Sequence, residues 1–239
     1  MTWQKLSSFP EKKIIGAYGI EFWAIREGKV WHQGRKLALA DAATFEVFAN
    51  QQFIARDALC IYHAWSRLPQ IDRDSFQKDG MYWKDNNSVY FEYETSLKML
   101  QGSDAKSFRY IGGDYGADEK TAWHFGRKMK NCTLSRELRV IQANQLYASD
   151  GEKIYFDGKP LSNVNAARWR ILNDFFSCDD KHVYYAERKL PRVDIQSWQH
   201  IYETWSKDKN HVFYMNIIEK GASPDHFDKA QAESRYKGR

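Results

Sequence analysis

Asp208-Lys209-Asn210-His211-Val212-Phe213-Tyr214 decides the fold, because the same string returns along the chain. It stands again as Asp179-Asp180-Lys181-His182-Val183-Tyr184-Tyr185 and as Asp85-Asn86-Asn87-Ser88-Val89-Tyr90-Phe91. A further copy begins at Asp150, looser ones at Asp57 and Asp118, and an unusual first copy puts Arg26 in the same place. The seven anchors are 31, 28, 33, 32, 29 and 29 residues apart. A period near thirty marks a tandem array: one unit is too small to bury its own apolar face, and its neighbours cover it.

Working outward from each anchor, further columns fall into register. Three residues before it is a ring in Tyr82, Tyr115, Tyr147, Phe176 and Trp205, with Ile54 as the exception. Four residues after it is a small or β-branched apolar side chain: Val30, Ile61, Val89, Ala122, Ile154, Val183 and Val212. Five after it is always a ring: Trp31, Tyr62, Tyr90, Trp123, Tyr155, Tyr184 and Phe213. Eleven after it stand Leu37, Leu68, Met129, Leu161 and Leu190. The β propensity of the apolar-ring pair and the turn chemistry of Asp and Asn predict strand, tight turn, strand around each anchor. Asp157-Gly158 and Gln33-Gly34 predict a second hairpin turn.

A second polar residue follows fifteen after the anchor: Asp41, Asp72, Asn165, Asp194 and Ser223, each with a ring four residues on. This reads as an N-cap opening a short helix of one or two turns. In the third copy the pair Asp104 and Phe108 is displaced by four residues, which places an insertion near Glu94 to Gly102. The fourth copy has no clear version of this half.

These residues resemble the DKNYY family of bacterial repeat proteins, whose naming string is matched best by residues 208–214 and which the Ala222 to Phe227 stretch also resembles. The likeness covers roughly residues 20 to 230. It implies a scaffold, and it carries no catalytic residue over. Many relatives are exported, whereas the segment MTWQKLSSFPEKKII lacks the apolar core of a signal peptide, so a cytoplasmic location is expected. Cytoplasmic repeat proteins of this kind resemble immunity proteins that neutralise toxins delivered between bacteria.

Composition narrows the function classes. At 43% hydrophobic and 28% charged the chain is a folded globular protein, and no apolar run is long enough to span a membrane. The net charge of +5 is spread out, with Arg127, Lys128 and Lys130 as its densest group; nucleic-acid binding needs a longer basic stripe. Cys60, Cys132 and Cys178 are odd in number and unpaired by spacing, which argues against disulfides and zinc. Rings make up 15% of the chain, more than an ordinary core uses, so they serve either stacking between repeats or a contact face.

The side chains that invite chemistry mostly follow the repeat. His32, His63 and His124 share the position six after the anchor, where other copies place Phe91, Phe156, Tyr185 and Tyr214. The column therefore wants a flat ring, although His32 and His63 as neighbours also suggest a metal pair. His182 and His211 fall in the anchor turn and are expected to be exposed. Asp72, Asp74 and Asp79 approach a calcium loop but lack its glycine. Gly112-Gly113-Asp114-Tyr115-Gly116 reads as a linker turn between repeats. No nucleophile elbow, phosphate loop or His-Glu-x-x-His motif occurs.

The expectation is a mainly β protein with short helices: an open curved array of hairpin-plus-helical-turn repeats, or alternatively a closed propeller-like ring. Residues 1–15 form an N-terminal segment and 16–239 one repeat domain. The scaffold residues are Asp57, Asp85, Asp118, Asp150, Asp179 and Asp208 with Tyr62, Tyr90, Trp123, Tyr155, Tyr184 and Phe213. The function expected is non-enzymatic binding of a protein, a toxin neutralised by occlusion, with no cofactor and no nucleic acid. An envelope-associated structural protein and a metal-dependent enzyme or binder using His32 and His63 are the alternatives.

Overall fold

The computed structural model describes residues 2–49, 52–94 and 96–238, and among them the chain is mainly β. It forms seven small antiparallel sheets, one per anchor, each a meander of four short strands. No barrel closes: the strand order in every sheet is linear and leaves two edges. Residues 3–5 and 13–15 take part in the sheets, joined by two 3-10 turns. Trp3–Lys5 adds a fifth strand to the second sheet by pairing with Glu46–Phe48, and Lys13–Ile15 opens the first sheet. The chain divides into two compact units, residues 1–110 and 111–239.

Four strands per sheet exceed the two or three expected, because the segment after each capped turn is itself a strand. In the second sheet Glu46–Phe48, Ile54–Arg56, Ile61–His63 and Ser66–Leu68 follow one another, each paired to the next. The element expected to be a helix of one or two turns is a single turn. Thr44 N donates to the Asp41 carbonyl, the Asp41 carboxylate accepts from Ala43 N and Thr44 Oγ1, and the chain then leaves as a strand. The one α-helix among the described residues is Lys229–Lys237, capped by Asp228, whose Oδ1 accepts from Gln231 N at 2.9 Å.

Adjacent residues of a strand face opposite sides. Ile61–His63, Tyr147–Ser149, Ile154–Phe156 and Phe176–Cys178 are nevertheless buried at every position. Both faces of these strands must therefore be covered, and the core clusters show by what. In the first unit one cluster joins Trp23 and Val30 of the first sheet to Ala55 and Tyr62 of the second. Another joins Ile54 and Ile61 to Trp83 and Tyr90 of the third. In the second unit Tyr115 and Ala122 meet Ala148 and Tyr155, Tyr147 meets Tyr184, and Phe176 meets Phe213. Four Trp and six Tyr are among the largest fully buried side chains, so the ring surplus of the repeat columns is core.

The irregular copies have local causes. The insertion lengthens one hairpin of the third sheet to Val89–Tyr93 and Ser96–Met99, and Leu100 fills the buried leucine position. In the fourth copy Ser135–Glu137 is a 3-10 turn without a side-chain cap, and buried Leu138 replaces the missing ring. In the first copy Glu27 and Gly28, at φ 50° and 67°, make a two-residue turn that leaves no role for an anchor Asp; Arg26 instead pairs with Glu21 at 2.7 Å.

Candidate functional site

Each sheet has two ends. The second-to-third strand turn lies at one, and the first-to-second and third-to-fourth turns share the other. Main-chain bonds hold the latter two together: Ala64 N donates to the Phe53 carbonyl, Phe125 N to Asp114, Asp157 N to Leu146 and Ala186 N to Phe175.

The anchor end is scaffold. Asp57 Oδ1 accepts from Leu59 N and Cys60 N at 2.8 and 2.9 Å, and Oδ2 accepts from Tyr62 Oη at 2.8 Å and from Asp41 N at 3.1 Å. One carboxylate thus folds its own turn, holds the ring five residues on, and caps the polar turn left by the preceding repeat. Asp85 repeats all four bonds with Asn87, Ser88, Tyr90 and Asp72. Asp179 does so with Lys181, His182, Tyr184 and Asn165. Burial pushes the Asp179 carboxyl up, but the N–H groups of Asn165, Lys181 and His182 outweigh it and hold its pKa below the usual range. Burial, then the anchor carboxylate, pushes the Tyr62 and Tyr90 hydroxyls up. Asp118 and Asp150 fold their own turns in the same way. Where Trp123 or Phe213 takes the ring position, the hydroxyl bond is missing. Asp208 keeps its bonds to Asn210, His211 and Asp194.

The histidine column is a ring stack. His32 and His63 are buried in the first unit with Phe53 between them, its centroid 5.8 Å from each. The intervening ring takes the place a shared metal ion would need. His32 also packs at 4.3 Å from Trp23. Burial lowers both imidazoles to about 4; the Phe22 carbonyl pulls His32 back up and the charge of His63 pushes it further down. His63 Nε2 lies 3.7 Å from Glu92 Oε1, and burial raises the Glu92 pKa. Burial likewise lowers His124, against the opposing charge of Asp157 at 3.6 Å.

Other sequence expectations are corrected. His182 and His211 are half-buried rather than exposed, with Nδ1 at 3.3 and 3.5 Å from the carboxylates of Asp179 and Asp208. Gly112-Gly113-Asp114 is the hairpin turn entering Tyr115–Ala117, not a linker; Gly113 sits at φ 52°, and an added Cβ would come within 2.8 Å of the Gln145 carbonyl oxygen. The Asp72, Asp74 and Asp79 carboxylates point to separate partners: Asp72 caps Ser75, Asp74 meets Arg73 and Asp79 meets Lys84. The three cysteines are buried and free, and burial raises their thiol pKa values.

Sequence reasoning did not find the other end. Four of the five exposed aromatic rings sit in its turns: Tyr18 and Trp65 in the first unit, Phe125 and Phe175 in the second. Ile20, Met81, Leu146 and Leu172 are exposed beside them. Met81, Leu146 and Phe175 each stand four before an anchor, a mixed, mostly apolar column outside those read above, and the other positions share no register. In the second unit this end also contains an open cleft of about 680 Å³ between Phe125 and the Asp157-Gly158 turn.

No helix among the described residues is long and apolar enough to cross a membrane. Among curated proteins and among solved structures nothing matches the chain. The model of the DKNYY family matches residues 23–159 and, in an overlapping second match, residues 82–217. Seven anchors in one register, seven sheets built on them and this match together place the chain in the DKNYY family.

Proposed function

We propose that the chain is a non-enzymatic scaffold that binds another protein through the turn-tip end of its sheets. The observation that carries this is the separation of its rings. Those in repeat columns are buried between sheets, whereas the exposed ones gather in the tip turns of each unit. Aromatic side chains left in water on rigid turns are the residue type that anchors protein interfaces. A protein that acts by covering its partner needs a shaped surface and no reacting groups, and the buried, low-pKa imidazoles and raised thiols are poorly placed for acid–base or nucleophilic work. In that reading the partner is a toxin and the protein neutralises it by occlusion, as an immunity protein does.

The test is co-expression with the product of the adjacent gene, followed by size-exclusion chromatography and a growth assay. A stoichiometric complex and protection are expected, both lost on Trp65→Ser or Phe175→Ser while the circular dichroism of the variants stays unchanged. No complex, or a complex indifferent to both substitutions, refutes the proposal.

A further inference from the structure

The strongest feature of the tip end outside the rings is the charge around the second unit's cleft. Its apolar walls are Phe125, buried Met129 and Pro160. Arg127, Lys128 and Lys130 stand on its rim, all exposed. Among the described residues none of the three is held by a carboxylate: Asp157 on the opposite wall is turned to His124 at 3.6 Å. Cations on outer strands often serve only to repel a second sheet edge. On the equivalent outer strands Lys36 and Lys189 also stand without a carboxylate, whereas other cations have partners. Arg35 lies over the Trp65 ring at 5.7 Å, and Lys159 and Arg188 share Glu187 at 3.3 and 3.6 Å. What sets this place apart is that three such cations stand together on the rim of one apolar-walled cleft.

We infer that this cleft receives an acidic segment of the protein partner, with an apolar side chain against Phe125 and Met129 and carboxylates on Arg127, Lys128 and Lys130. The inference rests on the binding reading above and names where and by what chemistry it operates in the second unit. Charge complementarity selects the occupant. Guanidinium and ammonium groups take carboxylates, and the apolar walls take a side chain between them. A nucleic-acid backbone fits less well. It needs a continuous basic track, and here Asp114 and Asp157 interrupt the lining.

The probe is a fluorescein-labelled heptapeptide, Glu-Asp-Leu-Glu-Phe-Asp-Glu, titrated by anisotropy into the full chain. Saturable binding at low ionic strength is expected. It falls by about tenfold or more in R127E/K128E/K130E, and again at about 0.5 M salt, where the screening length shrinks to a few ångströms. A peptide with Leu and Phe replaced by Ser, and the variant Phe125→Ser, each weaken binding at constant charge. No saturable binding by the folded chain overturns the inference. So does equal binding by the triple variant, or tighter binding of a single-stranded DNA of the same charge. If the heptapeptide fails while Trp65→Ser and Phe175→Ser still abolish the partner complex, the inference falls and the binding reading stands.

Discussion

Acidification tests the ring stack directly. His32 and His63 are fully buried beside Phe53, and both are held at about 4, against about 6.5 for an ordinary imidazole. The unfolded chain binds these protons below pH 6.5 and the fold refuses them until about 4. Stability is therefore flat at neutral pH and falls as pH drops through that window. At about 1.4 kcal/mol for each pH unit, each ring costs about 3 kcal/mol, and the two together about 6. That is a large part of the 5–15 kcal/mol that roughly spans the stability of folded proteins. Glu92 acts with the opposite sign. Its raised pKa makes the fold bind a proton more readily, so its contribution grows as pH falls and offsets part of the loss. The comparison that isolates the imidazoles is urea unfolding of the wild type and of His32→Phe/His63→Phe between pH 7 and 4. Phe already occupies this column as Phe91 and Phe156. The double variant is expected to lose about 6 kcal/mol less than the wild type across the window. Equal acid slopes in the two proteins would refute the claim that these rings are buried neutral.

Other perturbations separate the parts of the repeat. Asp85→Ala strands two turn N–H groups, the Tyr90 hydroxyl and Asp72 N, and at about 1–3 kcal/mol for each buried unmet donor a loss of about 4 kcal/mol is expected in denaturant unfolding. Asp85→Asn keeps the oxygen for Asn87 and Ser88 but turns an amide donor towards Asp72 N, so an intermediate loss is expected; full wild-type stability would exclude the carboxylate hub. Tyr62→Phe removes one hydroxyl bond that Trp123 and Phe213 already do without, and about 1 kcal/mol is expected by the same measurement. Gly158→Ala puts a Cβ within 2.6 Å of the His124 Cβ at φ +73°, whereas Gly34→Ala meets nothing within 4 Å at φ +75°. The first should lower the melting temperature well beyond the second, whose cost is the backbone strain alone, about 1 kcal/mol.

The scaffold was legible because it repeats. Asp, the ring five residues on and the polar residue fifteen on are columns for one reason: a single carboxylate binds all three places, and each repeat must build it again. The insertion in the third copy and the worn fourth copy were legible for the same reason. The fourth strand was not, since Arg35–Lys36, Arg127–Lys128 and Arg188–Lys189 are two exposed cations each and carry no alternation to read. The number of helical turns was not legible either, because an Asp cap looks alike whether a helix or a strand follows it. Phe53, which separates His32 from His63, stands four before its anchor, as Phe22 and Phe175 do, in a column of mixed, mostly apolar residues that does not announce a ring between the two imidazoles.

The two ends of each sheet are under different physical demands, and the copies within this chain record it. At the anchor end a buried carboxylate must meet its donors, and any other residue there leaves unpaired groups in the core. Six of the seven copies accordingly keep Asp, and the seventh changes the turn itself at Glu27-Gly28. At the tip end a two-residue turn requires little beyond a left-handed φ, and it is filled by Gln33-Gly34, Ala64-Trp65, Phe125-Gly126, Asp157-Gly158, Ala186-Glu187 and Met215-Asn216. Several of these place a non-glycine residue at positive φ, Ala64, Phe125 and Ala186 near 50° among them, at a backbone cost that Gly, Asn or Asp would reduce. Trp65 serves the fold in part, its Nε1 donating to the His32 carbonyl at 3.0 Å and its ring packing 5.4 Å from His32, while the rest of the indole faces water. In the proposed binding role the exposed faces of Phe125 and Trp65 are the contacts, and they stand on the end where the scaffold constrains fewer positions, Gly113 and Gly158 among those it does.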